Sequence, residues 1–503
     1  MSQAGGKLLR PGYNIWRVEQ AKRFAFIVDA ADYFVAVRAA MLKARKSITL
    51  IGWDFDARIP LGEGRDETEG EGPVHLGDFI LWLANTRPDL HIRLLRWDTG
   101  AFKTLLRGRT LFTILRWKAH KRITLRLDGK HPLAGSHHQK IVVIDDQLAF
   151  CGGIDMTFGR WDRRCHHDDD PERVNPDGKP YEPWHDATSA FDGAAARALG
   201  DLARERWAMA TGEKLSPVDD PHDCWPEALE PDFEDVCIGV ARTRPEMDDV
   251  EGVHEIEQIY LDLIASAKKH IYAESQYFAS RKIARAIALR LQEEDGPEIV
   301  IINPLTAEGW LEPLAMDTAR ARLVEALHRI DRHGRFRLYH PQTEAGGPIY
   351  VHAKLMVVDD CVLRVGSSNF NNRSMRLDSE CDVVLSVDEP GNGHVRPHIA
   401  ELRNDLLAEH LGVTAQEVTE RLEADGSLIA VIEKLRGTGR SLIPYEVPDL
   451  SAIEQWLADN EILDPEGPDA MFEPLGGARG ESGGKRGLFR GWGRVFHRHK
   501  KHA

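Results

Sequence analysis

Two stretches of the chain, HQKIVVIDDQLAFCGGID (residues 138–155) and HAKLMVVDDCVLRVGSSN (residues 352–369), share one pattern at identical spacing. Each opens with His-x-Lys, runs through four apolar residues to an Asp, and reaches a glycine turn fourteen residues after its His. The apolar runs on either side of Asp-Asp and Asp-Asp-Cys predict a strand–turn–strand unit in both copies. Where His and Lys lie on or just before a strand, period-2 alternation puts both on one face.

The duplication continues outward from these units. Amphipathic helices are expected over 33–44 and 254–268, followed by apolar strands over 47–56 and 269–278. A helix (76–85; 281–292), a strand (91–97; 298–303) and a shorter strand (122–127; 335–339) come next in each half. Helices over 194–209 and 397–410 follow the motifs. The apolar stretch from Phe24 to Leu42 is broken by Asp29, Asp32 and Arg38 and reads as a buried strand or helix. Alternating strands and helices predict an α/β fold, two tandem α-β-α sandwiches with mixed sheets related by a pseudo-twofold duplication and set face to face. The expected boundaries are a first domain over 1–213, a Pro/Asp/Glu-rich linker over 214–235, a second domain over 236–445 and a C-terminal extension over 446–503. An acidic, Gly-rich loop spans 62–72, and the last residues are basic with Phe489, Trp492 and Phe496 interleaved.

A net charge of −15 argues against a protein that lives by gripping nucleic acid. Six cysteines without CxxC spacing argue against a zinc ribbon or a disulfide framework and fit buried thiols in a reducing compartment. Neither a signal peptide nor a run of 18 apolar residues is present, so a cytoplasmic protein, peripheral at the inner face of a membrane, is expected.

Breaking a phosphodiester requires a nucleophile, an acid for the departing oxygen and positive charge around the nonbridging oxygens. Two histidines and two lysines supply that set with no metal and no cofactor. The glycine turns add backbone N–H groups, with Asp155, Ser367 and Asn369 as side-chain partners for a phosphate. Nothing in the spacing alone says which histidine attacks.

These motifs, with GGIDMTFGRWD (152–162), PWHD (183–186), AESQYF (273–278) and GSSNFNNRSMRLDSE (366–380) around them, resemble the signature of the phospholipase D superfamily, over about residues 15–412. The flanks look like its lipid-acting branch with two motifs in one chain. The resemblance implies a covalent phosphohistidine, with His138 as nucleophile and His352 as acid and then as base for water. His138, Lys140, Asp145, His352, Lys354 and Asp359 form the implied catalytic set, in which Asp145 and Asp359 are expected to fix the motif's own fold. Asp186 and Glu380 resemble the family's carboxylates that orient the histidines. The first copy departs from the pattern at Gly153 and Asp155, where the second has Ser367 and Asn369, so one phosphate contact is expected to differ. An insertion over 163–181 is expected to shape the entrance to the site.

Several residues carry a plainer expectation. His137 reads as a neighbour of the site, and His166, His167 and Asp168 to Asp170 as a solvated loop rather than metal ligands. Arg160 and Trp161 read as packing, while Trp53 and Gln276 are equally placed for pocket walls or core. The basic aromatic tail suits either an anionic lipid surface or a solubilising end. The expected activity is headgroup-side cleavage of a glycerophospholipid to phosphatidic acid, with transfer to an alcohol as an extension. The expected partner is a phospholipid membrane surface rather than nucleic acid, with function as a monomer. A cardiolipin synthase-type transferase is the neighbouring alternative; a metal-independent nuclease and a non-catalytic scaffold are the alternatives from other classes.

Overall fold

The computed structural model describes residues 7–62, 72–98, 108–132, 134–247, 249–307 and 313–448. The basic tail and most of the acidic loop lie outside them.

In the first half, strands β1 (Arg17–Val28), β2 (Ser47–Gly52), β3 (His91–Trp97), β4 (Ile123–Asp128), β5 (Ile141–Ile144), β6 (Leu148–Gly152), β7 (Trp184–His185) and β8 (Ala187–Asp192) alternate with helices α1 (Ala30–Met41), α2 (Leu76–Thr86), α3 (Gly108–Ala119) and α4 (Gly193–Thr211). In the second half the strands are β9 (Phe233–Arg244), β10 (Val253–His254), β11 (His270–Glu274), β12 (Glu298–Ile302), β13 (Phe336–Gln342), β14 (Tyr350–Val351), β15 (Leu355–Val358), β16 (Val362–Gly366), β17 (Glu380–Ser386) and β18 (Ser441–Pro444). Its helices are α5 (Glu255–Ser266), α6 (Arg281–Leu291), α7 (Thr318–Ile330), α8 (Arg396–Leu411), α9 (Ala415–Asp425) and α10 (Leu428–Leu435).

The strand order β18-β13-β12-β11-β15-β16-β17-β9-β1-β8-β6-β5-β2-β3-β4 reads as one half followed by the mirror of the other. In each half three parallel strands continue into an antiparallel set. The halves join where β1 pairs antiparallel with β9, from Arg17↔Val240 to Phe24↔Phe233. The mixed α/β architecture expected from the sequence is present. The stretch from Phe24 to Leu42 is the end of β1 followed by the whole of α1, separated at Asp29.

The motif strands are buried on both faces, which is why they read as unbroken apolar runs. Ile141 and Val143 enter a core shared with Leu355 and Val357, while Val142 and Ile144 face a separate layer with α1 and α2. Met356 and Val358 likewise face a third layer, with α5 and α6. The shared core is therefore built from the inner faces of both halves together with residues of α4 and α8.

The hairpin β5–β6 turns at Asp145 and Asp146 (φ 51° and 54°), and β15–β16 turns at Asp359 and Asp360 (φ 50° and 54°). Two successive positive φ values are what a tight right-twisted hairpin needs, and Asp tolerates them better than most side chains. Asp145 then spans to the start of β2, accepting from the backbone N–H of Arg45, Lys46 and Ser47 at 2.5–2.9 Å. Asp359 does the same with Lys268, Lys269 and His270 at 2.6–2.9 Å.

Candidate active site

The histidines are placed by two short parallel pairings between the halves. Residues Trp184 and His185 of β7 pair with Tyr350 and Val351 of β14, and the N–H of His352 donates to the carbonyl of His185 at 2.7 Å. An isolated parallel bridge joins His137 to Ser379, and the N–H of His138 donates to the carbonyl of Ser379 at 2.9 Å. Each bridge ends one residue before a histidine of one half and a carboxylate of the other.

The orienting pairs are consequently crossed. His352 Nδ1 lies 2.6 Å from Asp186 Oδ2, and His138 Nδ1 lies 3.0 Å from Glu380 Oε2. With both Nδ1 atoms engaged, the Nε2 atoms are left for substrate. Burial, reinforced by the charges of Lys140 and Lys354, holds the His138 imidazole well below its ordinary pKa. Burial, followed by Lys354, Arg160 and Lys140, does the same at His352. The same two lysines bear on both imidazoles, so the two motifs form one site. Burial pushes the Glu380 carboxyl up to about 8 and raises that of Asp186, favouring neutral groups where water is excluded.

Lys140 Nζ lies 3.0 Å from Asp155 Oδ2 and donates to the carbonyl of His138 at 3.1 Å. Lys354 Nζ donates to Gln276 Oε1 at 3.4 Å and to the carbonyl of His352. Burial lowers the Lys354 ammonium to about 7. The turn residues brace this arrangement. Asp155 Oδ1 accepts from the N–H of Trp53 at 3.0 Å, and Asn369 Oδ1 accepts from the N–H of Gln276 at 3.2 Å. Ser367 donates its hydroxyl to Glu380, and Ser374 adds a second donor at 2.7 Å.

The Gly153 departure has a steric reason. A Cβ at position 153 would fall 2.2 Å from Asp186 Oδ1, so the space that Ser367 fills beside Glu380 is occupied here by the shorter carboxylate itself.

The structure changes the reading of several residues. Asp145 and Asp359, included in the implied catalytic set though expected to fix the motif's own fold, spend their carboxylates on backbone N–H groups at the far ends of β5 and β15. The stretch from His166 to Asp170 is not uniformly solvated: His166 and Asp170 are buried, while His167, Asp168 and Asp169 are exposed. His166 is covered because α8 of the other half brings Glu409 to within 3.2 Å of it. The insertion also docks on the second half through Arg164 with Asp405 and Glu409.

Arg160 is more than packing: its guanidinium stacks 4.0 Å over Trp184, whose ring lies 4.5 Å from Tyr350 and 5.1 Å from His352. Trp184 and Tyr350 were not singled out from sequence. Their matching positions two residues before the orienting Asp186 and the motif His352 were the available signal. Gln276 faces the site, donating to Tyr350 Oη at 2.9 Å, whereas Trp53 stacks on Trp97 at 5.6 Å. His137 is buried between Ser379 Oγ at 2.8 Å and Asp128 at 3.1 Å.

The family model "Phospholipase D" matches residues 40–284, and "Cardiolipin synthase, PLD-like domain" matches residues 260–401. The chain is 25% identical over 480 residues to "Phospholipase D A" of Dictyostelium discoideum, covering 77% of this chain and 35% of that protein. It is 24% identical over 513 residues to "Phospholipase D alpha 1" of Carica papaya, covering 74% of this chain and 63% of that protein. It thus spans about a third to two-thirds of the length of these relatives. The fold is similar to the crystal structure of phosphatidylserine synthase from Haemophilus influenzae Rd KW20, with a TM-score of 0.55 at 15% identity, covering 83% of this chain and 96% of that one. Among the described residues no helix is long and apolar enough to cross a membrane. With two matched motifs converging on one site and both family models spanning them, the chain belongs to the phospholipase D superfamily.

Proposed function

We propose that this protein cleaves the headgroup-side phosphodiester of a glycerophospholipid, releasing the headgroup alcohol and leaving phosphatidic acid. The observation that carries the reading is the pair of crossed His–carboxylate contacts, each beside a motif lysine. His138 Nε2 attacks phosphorus, the bond to the headgroup oxygen breaks, and His352 donates its Nε2 proton to that oxygen. Lys140 and Lys354 balance charge on the nonbridging oxygens. Water then attacks the phosphohistidine, its proton passing to His352, and the P–N bond breaks. Orientation of each imidazole by a carboxylate from the other half keeps both nitrogens aimed at one phosphorus.

Phospholipid substrates are supported by the similarity to the two phospholipases D named above. The substrate is presented at a lipid surface, and the protein acts as a cytoplasmic, peripheral monomer. Transfer to an alcohol is a second reading, supported by the cardiolipin synthase-type model over 260–401. The deciding experiment measures headgroup release and transfer products from a phospholipid panel, with wild type beside His138→Ala and His352→Ala. Release by wild type and its loss in both variants are expected. Absence of both products from wild type, or full rate in either variant, overturns the reading.

A further inference from the structure

Behind the His352–Asp186 pair lies a second group of ionisable side chains that the proposed chemistry does not use. Asp29, His166, His185 and Glu409 are all buried, and one ligand-capable atom of each lies within 4.8 Å of the others. They come from the β1–α1 turn, the inserted loop, β7 and α8, so no sequence spacing announces them.

Their mutual distances have a definite pattern. His185 Nδ1 is 2.9 Å and His166 Nε2 is 3.2 Å from Glu409 Oε1. His166 Nε2 is 3.5 Å from Asp29 Oδ2, and His185 Nδ1 is 3.5 Å from Asp29 Oδ1. Tetrahedral nitrogen and oxygen ligands about 2.0–2.1 Å from a central ion stand about 3.3 Å apart. Two of these atoms, Asp29 Oδ2 and His185 Nδ1, are buried with no hydrogen bond. Each is instead within ion-pair distance of its neighbours, His185 Nδ1 of Glu409 and Asp29 Oδ2 of His166, so two buried atoms without a well-formed hydrogen bond converge on one point.

The outer ring nitrogens complete the pattern. His166 Nδ1 lies 2.9 Å from Asp162 Oδ2, and His185 Nε2 lies 2.7 Å from Glu274 Oε2. Those carboxylates are themselves held: Asp162 by the N–H of Trp184 and by Arg173, and Glu274 by Tyr272 and His410. A carboxylate behind each imidazole is the arrangement that fixes the tautomer of a metal-binding histidine. Burial opposes protonation, but the surrounding carboxylates raise both imidazoles above their ordinary pKa, so a divalent ion would take the place of their two protons with the net charge unchanged. By contrast, Asp145 with His222 and Cys224 is a weaker cluster, because both Asp145 oxygens already accept backbone N–H groups.

We propose that Asp29, His166, His185 and Glu409 form a structural site for one divalent transition ion of the zinc class. Four protein ligands leave no open position, so the ion fixes structure rather than activating water. It ties the inserted loop and α8 to the turn that supports Asp186. There the N–H of Asp29 donates to the Asp186 carbonyl at 2.8 Å, and the N–H of Asp186 donates to Asp29 Oδ1 at 3.0 Å. Asp29 is a positioning residue for the His352–Asp186 pair through these contacts.

The test uses the full chain, purified without a histidine tag from zinc-supplemented culture and desalted over chelating resin. About one zinc per chain is expected by elemental analysis, and cobalt(II) exchanged into the protein should show the visible d–d absorption of a tetrahedral ion. His166→Ala and Glu409→Gln should each lower the zinc content about tenfold or more, while His167→Ala, at the exposed neighbour, leaves it unchanged. The proposal is overturned if wild type, after growth and incubation with zinc, holds less than about a tenth of an equivalent and melts at the same temperature with zinc or chelator. Unchanged zinc content in both ligand variants overturns it as well. Because wild-type metal content is read directly, neither a misfolded variant nor an inactive enzyme obscures the result.

Discussion

Asp186 and His352 stand 166 residues apart in the chain, one in each half, yet Asp186 Oδ2 lies 2.6 Å from His352 Nδ1. Glu380 and His138 make the reciprocal pair across 242 residues. Neither half holds an oriented histidine by itself, so each pair is a test of the whole arrangement.

Asp186→Asn and Glu380→Gln should each lower kcat by roughly 10²- to 10⁴-fold, because an amide in place of the carboxyl group no longer fixes the orientation and tautomer each imidazole needs, Nε2 bare at His138 and Nε2 protonated at His352. The two differ in which step they slow. Reactions with phosphorus-labelled lipid, stopped in a neutral detergent denaturant because the P–N bond is acid-labile, should show covalent label on wild type and on Asp186→Asn, with none on His138→Ala. Label retained on His138→Ala would exchange the roles of the two histidines.

Gly153→Ser should abolish most activity, since its Cβ would meet Asp186 Oδ1 at 2.2 Å and displace the carboxylate from His352. Ser367→Gly, which removes one donor from Glu380, should be milder, at about tenfold in kcat. A Gly153→Ser protein with wild-type kcat would show that Asp186 need not occupy that space.

The Lys354 ammonium, lowered by burial to about 7, loses its charge as pH rises through that value. The kcat/KM profile, which reports the free enzyme, should therefore fall on the alkaline side from about pH 7. Lys354→Arg keeps its charge, so its residual activity should lack that limb. A wild-type profile flat through pH 9 contradicts the assignment.

Asp145→Ala and Asp359→Ala each release backbone N–H groups in the turn before β2 or β11. A loss of about 3 kcal/mol or more is expected in chemical denaturation, with kcat per folded molecule little changed. A large fall in kcat at unaltered stability would return these residues to the chemistry.

Asp128 supports His138 at one remove, through His137 at 3.1 Å and Arg206 at 2.5 Å. Burial opposes its ionisation, but hydrogen bonding to His137 and the Arg206 charge outweigh it and hold the carboxyl near 2 against an ordinary 3.8. The folded value is the lower one, so the stabilisation is present above about pH 4 and is lost as pH falls through about 2. It is worth about 2 kcal/mol. Asp128→Asn should flatten that part of the acid denaturation curve; an unchanged curve would remove Asp128 from the set.

The family, the α/β layering and the four motif side chains His138, Lys140, His352 and Lys354 were legible in the chain, because they are local. A run such as IVVI can be buried on both faces only in a covered sheet, and an Asp-Asp turn between two such runs closes a hairpin wherever it occurs. What stayed hidden depends on contacts between residues far apart in sequence. Nothing near Asp186 says that it serves His352, since that pairing is made by the parallel bridge between β7 and β14. Gly153 looked like a lost phosphate contact, and folding makes it room for a carboxylate. His166 sits in a string of charges that reads as solvent-facing; α8 buries it by supplying Glu409 from 243 residues away. A polar side chain is buried where partners satisfy it, and those partners become its neighbours only when the two halves close on each other.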